Sequence, residues 1–156
     1  MIRVGHGFDV HPFTDEDRPL VLGGVVFEGE RGLRGHSDSD VVAHAVCDAL
    51  LGAAGLGDIG MHFPDTDPAW AGADSMRLLA EVVRRVGAEG WSAANVDCTV
   101  VCEAPKLAPR REQMAATLTA VVDAPVTVKG KRAEGLGAIG RGEGIACWAV
   151  ALLERA

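Results

Sequence analysis

The chain has 156 residues, of which 48% are hydrophobic and 24% are charged, and its formal net charge is −7. This composition predicts one globular domain over residues 1–156 with a core of ordinary size. Because the chain is acidic and has no basic run, we expect it to bind neither nucleic acid nor an anionic membrane. No apolar run approaches the ~20 residues of a membrane span, and charged residues near the start argue against a signal peptide. A cytoplasmic location is therefore expected.

The hydrophobic pattern predicts an α+β fold, in which a sheet of about four strands packs against about four helices. In chain order we expect strands at 3–11 and 19–28 (bent at Gly23-Gly24), a helix at 37–54, a loop at 57–68, a helix at 73–88, a strand at 95–102, a helix at 109–122, a strand at 125–129 and a helix at 143–155. The first helix is expected to begin with a cap formed by Ser37 and Asp40.

Three residues are candidate metal ligands. Asp9 and His11 stand at i and i+2 of the first predicted strand, so their side chains are expected on one face. His44, on the first predicted helix, would add a second imidazole. Such an Asp/His/His set leaves the fourth position of a zinc-type ion open, which is the catalytic rather than the structural pattern. The alternative is a turn at Asp9-x-His11 and an ordinary histidine in the helix.

The start of the first predicted helix is a candidate anion site. His36 and Ser37 stand where the free backbone N–H groups of a helix favour anions, and a histidine there could donate to a phosphate oxygen. Asp40, His44 and Asp48 follow at helical spacing on one polar face. That face is either solvated or part of a site, and Asp48 is a candidate to support the metal ligand His44.

Two further segments are rich in polar residues or glycine. The loop at 57–68 carries three carboxylates without EF-hand spacing, so they either accept from substrate hydroxyls or form turns. Residues 135–140 match G-x-G-x-x-G, but too few residues follow for a dinucleotide-binding unit. We expect these glycines to permit tight turns before the last predicted helix, where Arg141 is a candidate phosphate partner.

Five blocks of the sequence together resemble one family. They are His6–His11, Gly35–Asp40, Ala49–Gly60, Phe63–Pro68 and Gly140–Gly144. In this order, and nearly end to end, they are similar to the 2-C-methyl-D-erythritol 2,4-cyclodiphosphate synthases of the non-mevalonate isoprenoid pathway. The five blocks are specific in combination, whereas each block alone is a weak signal.

The resemblance implies a lyase that works as a homotrimer with active sites between neighbouring subunits. Its substrate is 4-diphosphocytidyl-2-C-methyl-D-erythritol 2-phosphate, whose 2-phosphate attacks the β-phosphorus, so that CMP leaves and a cyclic diphosphate forms. Because one phosphate attacks another, this reaction needs positive charge at phosphorus rather than a nucleophile from the protein. The resemblance also implies a cavity on the trimer axis that can take an isoprenoid diphosphate.

The resemblance assigns roles by position. Zinc is implied at Asp9, His11 and His44, and a second divalent ion, Mg²⁺ or Mn²⁺, at Glu134. The transferring phosphate is implied to contact His36 and Ser37. The remaining substrate contacts are implied at Asp58, Ile59, Gly60, Phe63 and Asp65 for the ribose and methylerythritol parts, at Ala104, Pro105 and Lys106 for the cytidyl part, and at Arg141 for an anion in the cavity along the trimer axis.

One segment departs from the family pattern. Where the family commonly has Lys-Ala-Thr-Thr-Thr-Glu, this chain has Lys-Gly-Lys-Arg-Ala-Glu at 129–134. Arg132 stands at the position of a phosphate-contacting threonine, and Ala138 replaces a family phenylalanine. We expect Arg132, together with Lys131, to replace hydroxyl contacts with charge-assisted contacts to the diphosphate, which makes Arg132 a candidate catalytic residue beside His36.

Two other functions remain open on sequence grounds. A zinc phosphohydrolase would use a bound water as nucleophile, and the open zinc position permits this. A non-catalytic trimer would only bind isoprenoid diphosphates, and the altered stretch at 131–133 favours this alternative. Retention of every metal position argues against an idle site. Separation of CMP and cyclic product from hydrolysis products distinguishes all three.

Overall fold

The computed structural model describes residues 1–155, and a four-stranded sheet with the order β1-β6-β4-β5 forms its centre. The elements are β1 (Ile2–Pro12), β2 (Leu20–Leu22), β3 (Val25–Phe27), α1 (Val41–Ala54), α2 (Ile59–His62), α3 (Ser75–Ala88), β4 (Ser92–Val101), α4 (Arg111–Val122), β5 (Val126–Lys131), α5 (Gly137–Gly140) and β6 (Gly144–Glu154). A single 3₁₀ turn lies at Pro68–Trp70. The predicted α+β class and the four-stranded sheet are therefore confirmed.

Strand direction gathers the functional segments at one end of the sheet. Strand β6 is antiparallel to both β1 and β4, while β4 and β5 are parallel. Strands β1, β4 and β5 therefore run in the same direction, and their C-terminal ends lie at the same end of the sheet. Asp9 and His11 are at that end of β1, Cys102 directly follows β4, and Lys131 ends β5.

The predicted last helix at 143–155 is wrong, because this segment is the strand β6 in the middle of the sheet. The prediction followed an apolar stripe at helical spacing that included Ile145 and Trp148. The same run also alternates at period two: Cys147 and Ala149 are buried, whereas Trp148 and Val150 are exposed. A nearly continuous apolar run fits both periods, and pairing with two neighbouring strands decides in favour of the strand.

Three smaller predictions also change. Residues 19–28 form a hairpin of β2 and β3 rather than one bent strand, because Gly23 and Gly24 both have positive φ (58° and 73°), as a tight two-residue hairpin turn requires. Helix α1 begins at Val41 instead of Ser37. The loop predicted at 57–68 contains the short helix α2.

Asp40 links the hairpin to α1. Its carboxylate caps the helix by accepting from Val42 N and Ala43 N, both at 3.1 Å, and it also accepts from Gly23 N at 2.8 Å and Gly24 N at 2.7 Å. The side chain is fully buried, and burial raises its pKa to about 6 although the backbone donors act in the opposite direction. Four N–H groups thus replace the water that this carboxylate loses on folding.

Helix α1 is the central helix of the fold. All of its residues are buried except Asp48, which is half-buried, and Gly52, which is exposed. It lies between β1 and β6 on one side and α3 on the other, so its apolar character follows from contact on nearly every side. Within residues 1–155, neither α1 nor any other helix is long and apolar enough to cross a membrane.

Two glycines allow α1 to lie directly against β1. A Cβ atom at Gly5 would overlap the carbonyl oxygen of Ala49, and one at Gly7 would overlap the carbonyl oxygen of Ala45. Both glycines are on the face of β1 that also carries Asp9 and His11. The close approach of helix and strand therefore brings the helix residue His44 next to the strand residue Asp9.

The opposite face of the sheet is apolar and exposed. Large side chains on β1 and β6 are between 41% and 68% exposed: Ile2, Val4, Phe8, Val10, Trp148 and Val150. Phe8 and Trp148 are cross-strand partners whose ring centroids lie 4.9 Å apart. Because a sheet face exposed to water is normally polar, we expect this apolar surface to be covered by another protein surface.

Substitution of Gly7 by alanine is predicted to destabilise the protein. The added methyl group meets the backbone of α1 rather than a flexible side chain, so we expect a loss of about 1–3 kcal/mol, as for overpacked cores. Urea denaturation followed by circular dichroism measures this effect. The control is Gly52→Ala on the exposed side of α1, where the nearest atom to a new Cβ would be His6 O at 3.9 Å; here we expect a gain of up to about 1 kcal/mol. Equal midpoints for both variants would contradict the proposed close contact.

Candidate metal centre and active site

Asp9, His11 and His44 form a compact cluster at the end of β1. Asp9 Oδ2 lies 3.0 Å from His11 Nε2 and 2.9 Å from His44 Nδ1, and the two ring nitrogens are 3.4 Å apart. The cluster is the one group of at least three possible metal ligands found among residues 1–155. The predicted convergence of these three side chains on one point is therefore confirmed.

The spacing of the three atoms suits a small divalent cation. Ligand atoms bound tetrahedrally to zinc at about 2.0–2.1 Å lie about 3.3 Å from one another. The observed separations of 2.9, 3.0 and 3.4 Å need only slight expansion to reach that geometry. One carboxylate and two imidazoles are also a donor set that zinc commonly takes. The residues present therefore fit a zinc-type ion.

Electrostatics also favour a cation at this cluster. Burial disfavours the charged form of Asp9, but hydrogen bonds with His11 and His44 outweigh burial and hold the pKa of this carboxyl well below its usual range. Burial would likewise lower the pKa of His11, but Asp9 outweighs it and raises that pKa. Asp9 is thus a partly buried anion that requires positive charge beside it.

The backbone orients the ring of His11. Its Nδ1 lies 2.8 Å from the carbonyl oxygen of Arg34, and a carbonyl can only accept, so Nδ1 carries the proton of this bond. In the neutral ring, Nε2 then presents its lone pair to the cluster. The 33–37 segment that supplies this carbonyl is itself fixed by Arg18, which donates to Gly35 O at 3.0 Å and to Ser37 O.

The cluster opens into a cavity of about 440 Å³. Most of the predicted contacts for the transferring phosphate and the sugar parts line it: His36, Ser37, Ile59, Gly60, Phe63 and Asp65. Asp58 does not line it, since its side chain caps α2 by accepting from Met61 N at 2.9 Å. His36 is exposed and contacts Asp67 O through Nε2 at 3.1 Å. One face of the chain thus combines the three candidate metal ligands with a polar and aromatic cleft.

A second cavity, of about 230 Å³, lies at the ends of β4 and β5. It is lined by Pro105, Lys106, Lys131 and Arg132 from the predicted set, together with Cys102, Glu103, Leu107, Ala108, Arg111 and Gly130. Four of these side chains are cationic, so the cavity suits an anion. The two cavities share no lining residue.

The sequence matches the YgbB family over residues 2–154. The chain belongs to this family. A curated relative from Desulfatibacillum aliphaticivorans, named 2-C-methyl-D-erythritol 2,4-cyclodiphosphate synthase, is 54% identical over 98% of this chain and 100% of its own length. The family inferred from the five sequence blocks is therefore confirmed.

Solved structures share the fold of this family member. The bifunctional IspDF of Campylobacter jejuni superposes with a TM-score of 0.95 at 42% identity, over 100% of this chain and 43% of that chain. A CDP complex of IspF from Plasmodium falciparum superposes with a TM-score of 0.85 at 33% identity, over 99% of this chain and 96% of that chain. The second of these structures contains CDP bound to the Plasmodium falciparum protein.

Besides Asp58, three predicted residues lie outside both cavities. Glu134 is exposed and has a positive φ of 55°, in the segment between β5 and α5. Arg141 does not begin a helix as predicted but follows α5, where its Nη2 lies 3.2 Å from Glu143 Oε2. Ala104 is exposed beside the second cavity. A single chain therefore brings together only part of the predicted site.

The support of His44 also differs from the prediction. Asp48 accepts from Ile59 N at 2.7 Å and so fixes the start of α2, and no hydrogen bond between it and His44 is found. The far nitrogen of His44 instead lies 2.9 Å from Ser75 Oγ, which in turn donates to Asp38. Sequence reasoning missed Ser75, because it lies 31 positions from His44 and shows no local signal other than a helix start.

The wall of the first cavity contains an aromatic pair that was not predicted. Trp70 packs edge-on against Phe63 with a centroid distance of 4.9 Å, and the Arg85 guanidinium lies 5.1 Å from the centre of the Phe63 ring. Trp70 follows the Asp-Pro turn that ends the 57–68 segment. The composition of the 57–68 loop indicated function, but only the fold shows that Phe63 of this loop packs against Trp70, which follows it.

Proposed function

We propose that this chain is a 2-C-methyl-D-erythritol 2,4-cyclodiphosphate synthase, which converts 4-diphosphocytidyl-2-C-methyl-D-erythritol 2-phosphate to the cyclic diphosphate and CMP. One observation carries the proposal: the Asp9–His11–His44 cluster opens into a cleft lined by the residues that the family resemblance assigns to substrate. The chain's membership of the YgbB family supports it. A zinc phosphohydrolase gains no comparable support.

The reaction needs charge neutralisation and orientation. An oxygen of the 2-phosphate forms a bond to the β-phosphorus, and the bond between that phosphorus and the bridging oxygen breaks, with the electron pair leaving on CMP. Because both reacting groups are anionic, repulsion opposes their approach. Position and fixed positive charge supply most of the rate enhancement in such transfers.

We propose that Asp9, His11 and His44 would together hold a zinc ion. A zinc ion bound there would supply positive charge that polarises a phosphoryl oxygen. His36 and Ser37 line the same cleft, where an imidazole N–H and a hydroxyl can donate to phosphate oxygens. Ile59, Gly60, Phe63 and Asp65 then hold the sugar parts, and Asp58 contributes by fixing α2.

We assign the second cavity to the cytidyl phosphate part of the substrate. The CDP complex of the Plasmodium falciparum relative supports nucleotide binding by this fold. In this chain Lys106, Lys131 and Arg132 place cationic groups around the cavity. Arginine presents planar donors that match phosphate oxygens, and such charged bonds are about twice as strong as neutral ones. Arg132 therefore takes over the contact that a hydroxyl makes elsewhere in the family.

We propose that Glu134 binds the second divalent ion, Mg²⁺ or Mn²⁺, together with the diphosphate. Its carboxylate is exposed and free to approach substrate oxygens, and magnesium favours one or two carboxylates combined with phosphate ligands. The other carboxylate near this segment, Glu103, accepts from Ala133 N at 2.8 Å and so shapes the loop.

We propose that complete sites form between copies of the chain. Both cavities lie at the same end of the sheet, but β1 and β5 are its two edges, three strand spacings or about 14 Å apart. We propose a homotrimer in which the β5 edge of one subunit lies beside the β1 edge of the next. Such a heterologous contact closes a ring and covers the apolar face that carries Val4 and Trp148.

The proposed ring has an enclosed axis. Three apolar sheet faces turned inward form a cavity suited to an isoprenoid chain, and exposed Arg141 is our candidate to receive its diphosphate.

We propose that residues 1–156 form one domain and that the protein is cytoplasmic.

Incubation with the substrate is predicted to give CMP and the cyclic diphosphate in equal amounts. The wild type is expected to contain one zinc per chain, and His44→Ala is expected to lose both the zinc and CMP release, because two ligands hold zinc far less tightly than three. Chromatography of the products and elemental analysis of the protein measure both outcomes. His6→Ala is the control for zinc, since His6 lies on the other face of β1. Linear hydrolysis products, or full zinc in His44→Ala, would count against the proposal.

The oligomeric state provides a separate test. Light scattering at micromolar concentration is expected to give the mass of three chains, and Val4→Glu is expected to reduce it, because a charge on the apolar face would be buried without a partner. Val26→Glu, at a 40% exposed position on the hairpin, is expected to leave the mass unchanged. A wild-type monomer would contradict the trimer.

The altered segment at 131–134 yields a sharper prediction. Arg132→Ala is expected to lower turnover about tenfold or more, as for the loss of one donor to the transition state. Glu134→Gln is expected to weaken the response to added Mg²⁺ or Mn²⁺ while zinc content stays unchanged. The matched controls are Arg31→Ala, at an exposed arginine paired with Asp15, and Glu16→Gln, at an exposed carboxylate. Full turnover and full metal response in the site variants would show that this segment does not act on the diphosphate.

A further inference from the structure

The side of His44 that faces away from the metal cluster is held by two serines. Its Nδ1 lies 2.9 Å from Asp9 Oδ2, while its Nε2 lies 2.9 Å from Ser75 Oγ and 3.2 Å from Ser37 Oγ. Ser75 is fully buried and Ser37 is nearly so. Water is therefore largely excluded, and the direction of each hydrogen bond follows from the protons available.

Ser75 can only accept from His44. A hydroxyl has one proton, and Ser75 Oγ donates it to Asp38 Oδ1. The short contact between Ser75 Oγ and His44 Nε2 therefore needs a proton on Nε2, because two lone pairs would repel each other. A neutral ring with its proton on Nε2 has its lone pair on Nδ1. That lone pair lies 2.9 Å from Asp9 Oδ2, so a cation would be needed at the cluster to offset the repulsion between these two acceptors.

Asp38 is fixed as an acceptor by backbone groups. Its Oδ2 accepts from Ser75 N at 3.0 Å, and its Oδ1 accepts from Asp40 N at 3.1 Å. A carboxylate has no proton to donate. The Ser75 hydroxyl therefore cannot turn its proton towards His44 without losing its hydrogen bond to Asp38. The hydrogen bonds therefore run in one direction: His44 donates to Ser75, and Ser75 donates to Asp38.

Helix capping does not explain the Ser75 hydroxyl. Ser75 is the first residue of α3, but the N-cap is Asp74, whose side chain accepts from Met76 N at 2.9 Å. The two serines at His44 also differ in position, since Ser37 lines the cavity and Ser75 does not. Ser37 Oγ accepts from Ser39 N at 3.1 Å, which leaves its own proton available to a ligand in the cavity.

We propose that Ser75 and Asp38 are positioning residues, which hold His44 with its proton on Nε2 so that Nδ1 presents a lone pair to the metal. The inference rests on the proposed function only in assigning a metal to the cluster. Groups that orient metal-binding histidines in this way typically change metal affinity about 10–100-fold when they are removed.

Zinc affinity, measured by competition with a chromophoric chelator, tests the proposal. Ser75→Ala is expected to weaken zinc binding about 10–100-fold. Asp38→Asn is expected to weaken it as well, since an amide can donate to Ser75 Oγ and turn the hydroxyl proton towards Nε2. The control is Asp74→Ala, which removes the cap of the same helix without contact with His44, and which is expected to lower thermal stability but leave zinc affinity unchanged.

The protonation pattern of His44 separates positioning from a merely structural role. Long-range ¹⁵N NMR of histidine-labelled, metal-free protein at alkaline pH is expected to show His44 with its proton on Nε2 in the wild type. In Ser75→Ala and Asp38→Asn we expect a fraction with the proton on Nδ1.

Two results would overturn the proposal: zinc affinity within about twofold of the wild type in both variants, or a wild-type ring with its proton on Nδ1. A wild-type protein that binds no zinc would instead contradict the proposed function, while the NMR pattern would still decide the direction of the hydrogen bonds. If Ser75→Ala fails to fold, the zinc affinity of Asp38→Asn and the wild-type NMR spectrum still test the proposal.

Discussion

The contact between α1 and β1 is the constraint on which the rest of the structure depends. Gly5 and Gly7 let the helix backbone approach the strand backbone directly. The candidate metal site depends on that approach, because His44 on the helix must reach Asp9 on the strand. A larger residue at either glycine would move the whole helix, because packed cores shift as units and do not deform continuously.

Buried and half-buried carboxylates fix the rest of the site through backbone N–H groups. Asp40 joins the hairpin to α1, Asp48 holds the start of α2, and Asp38 joins the loop before α1 to the start of α3. Each carboxylate exchanges water for donors that the fold supplies. The cleft is therefore built from segments distant in sequence, whose relative positions depend on a few hydrogen bonds and not on regular secondary structure.

The sequence was sufficient to predict those parts of the fold and site that depend on local spacing. Asp9 and His11 share a face because strands alternate, and His44 on the predicted helix completed the Asp/His/His set. The resemblance identified the lining of the cleft. Strand β6 was mistaken for a helix because its apolar run fits both periods, and only pairing with β1 and β4 decides between them. Ser75 was missed because its role arises from tertiary contact, and the placement of Glu134 apart from the cluster depends on strand order.

The pairing of β1 with β6 sets the order in which the protein can mature. Residues 2–12 pair with residues 144–154, so the first strand of the sheet must wait for the last before it has its neighbour. Contacts so distant along the chain make folding slow, and during translation the early segment leaves the ribosome long before its partner. Asp9 and His11 are therefore synthesised early, but they reach their final geometry only after β6 has been made and has paired with β1.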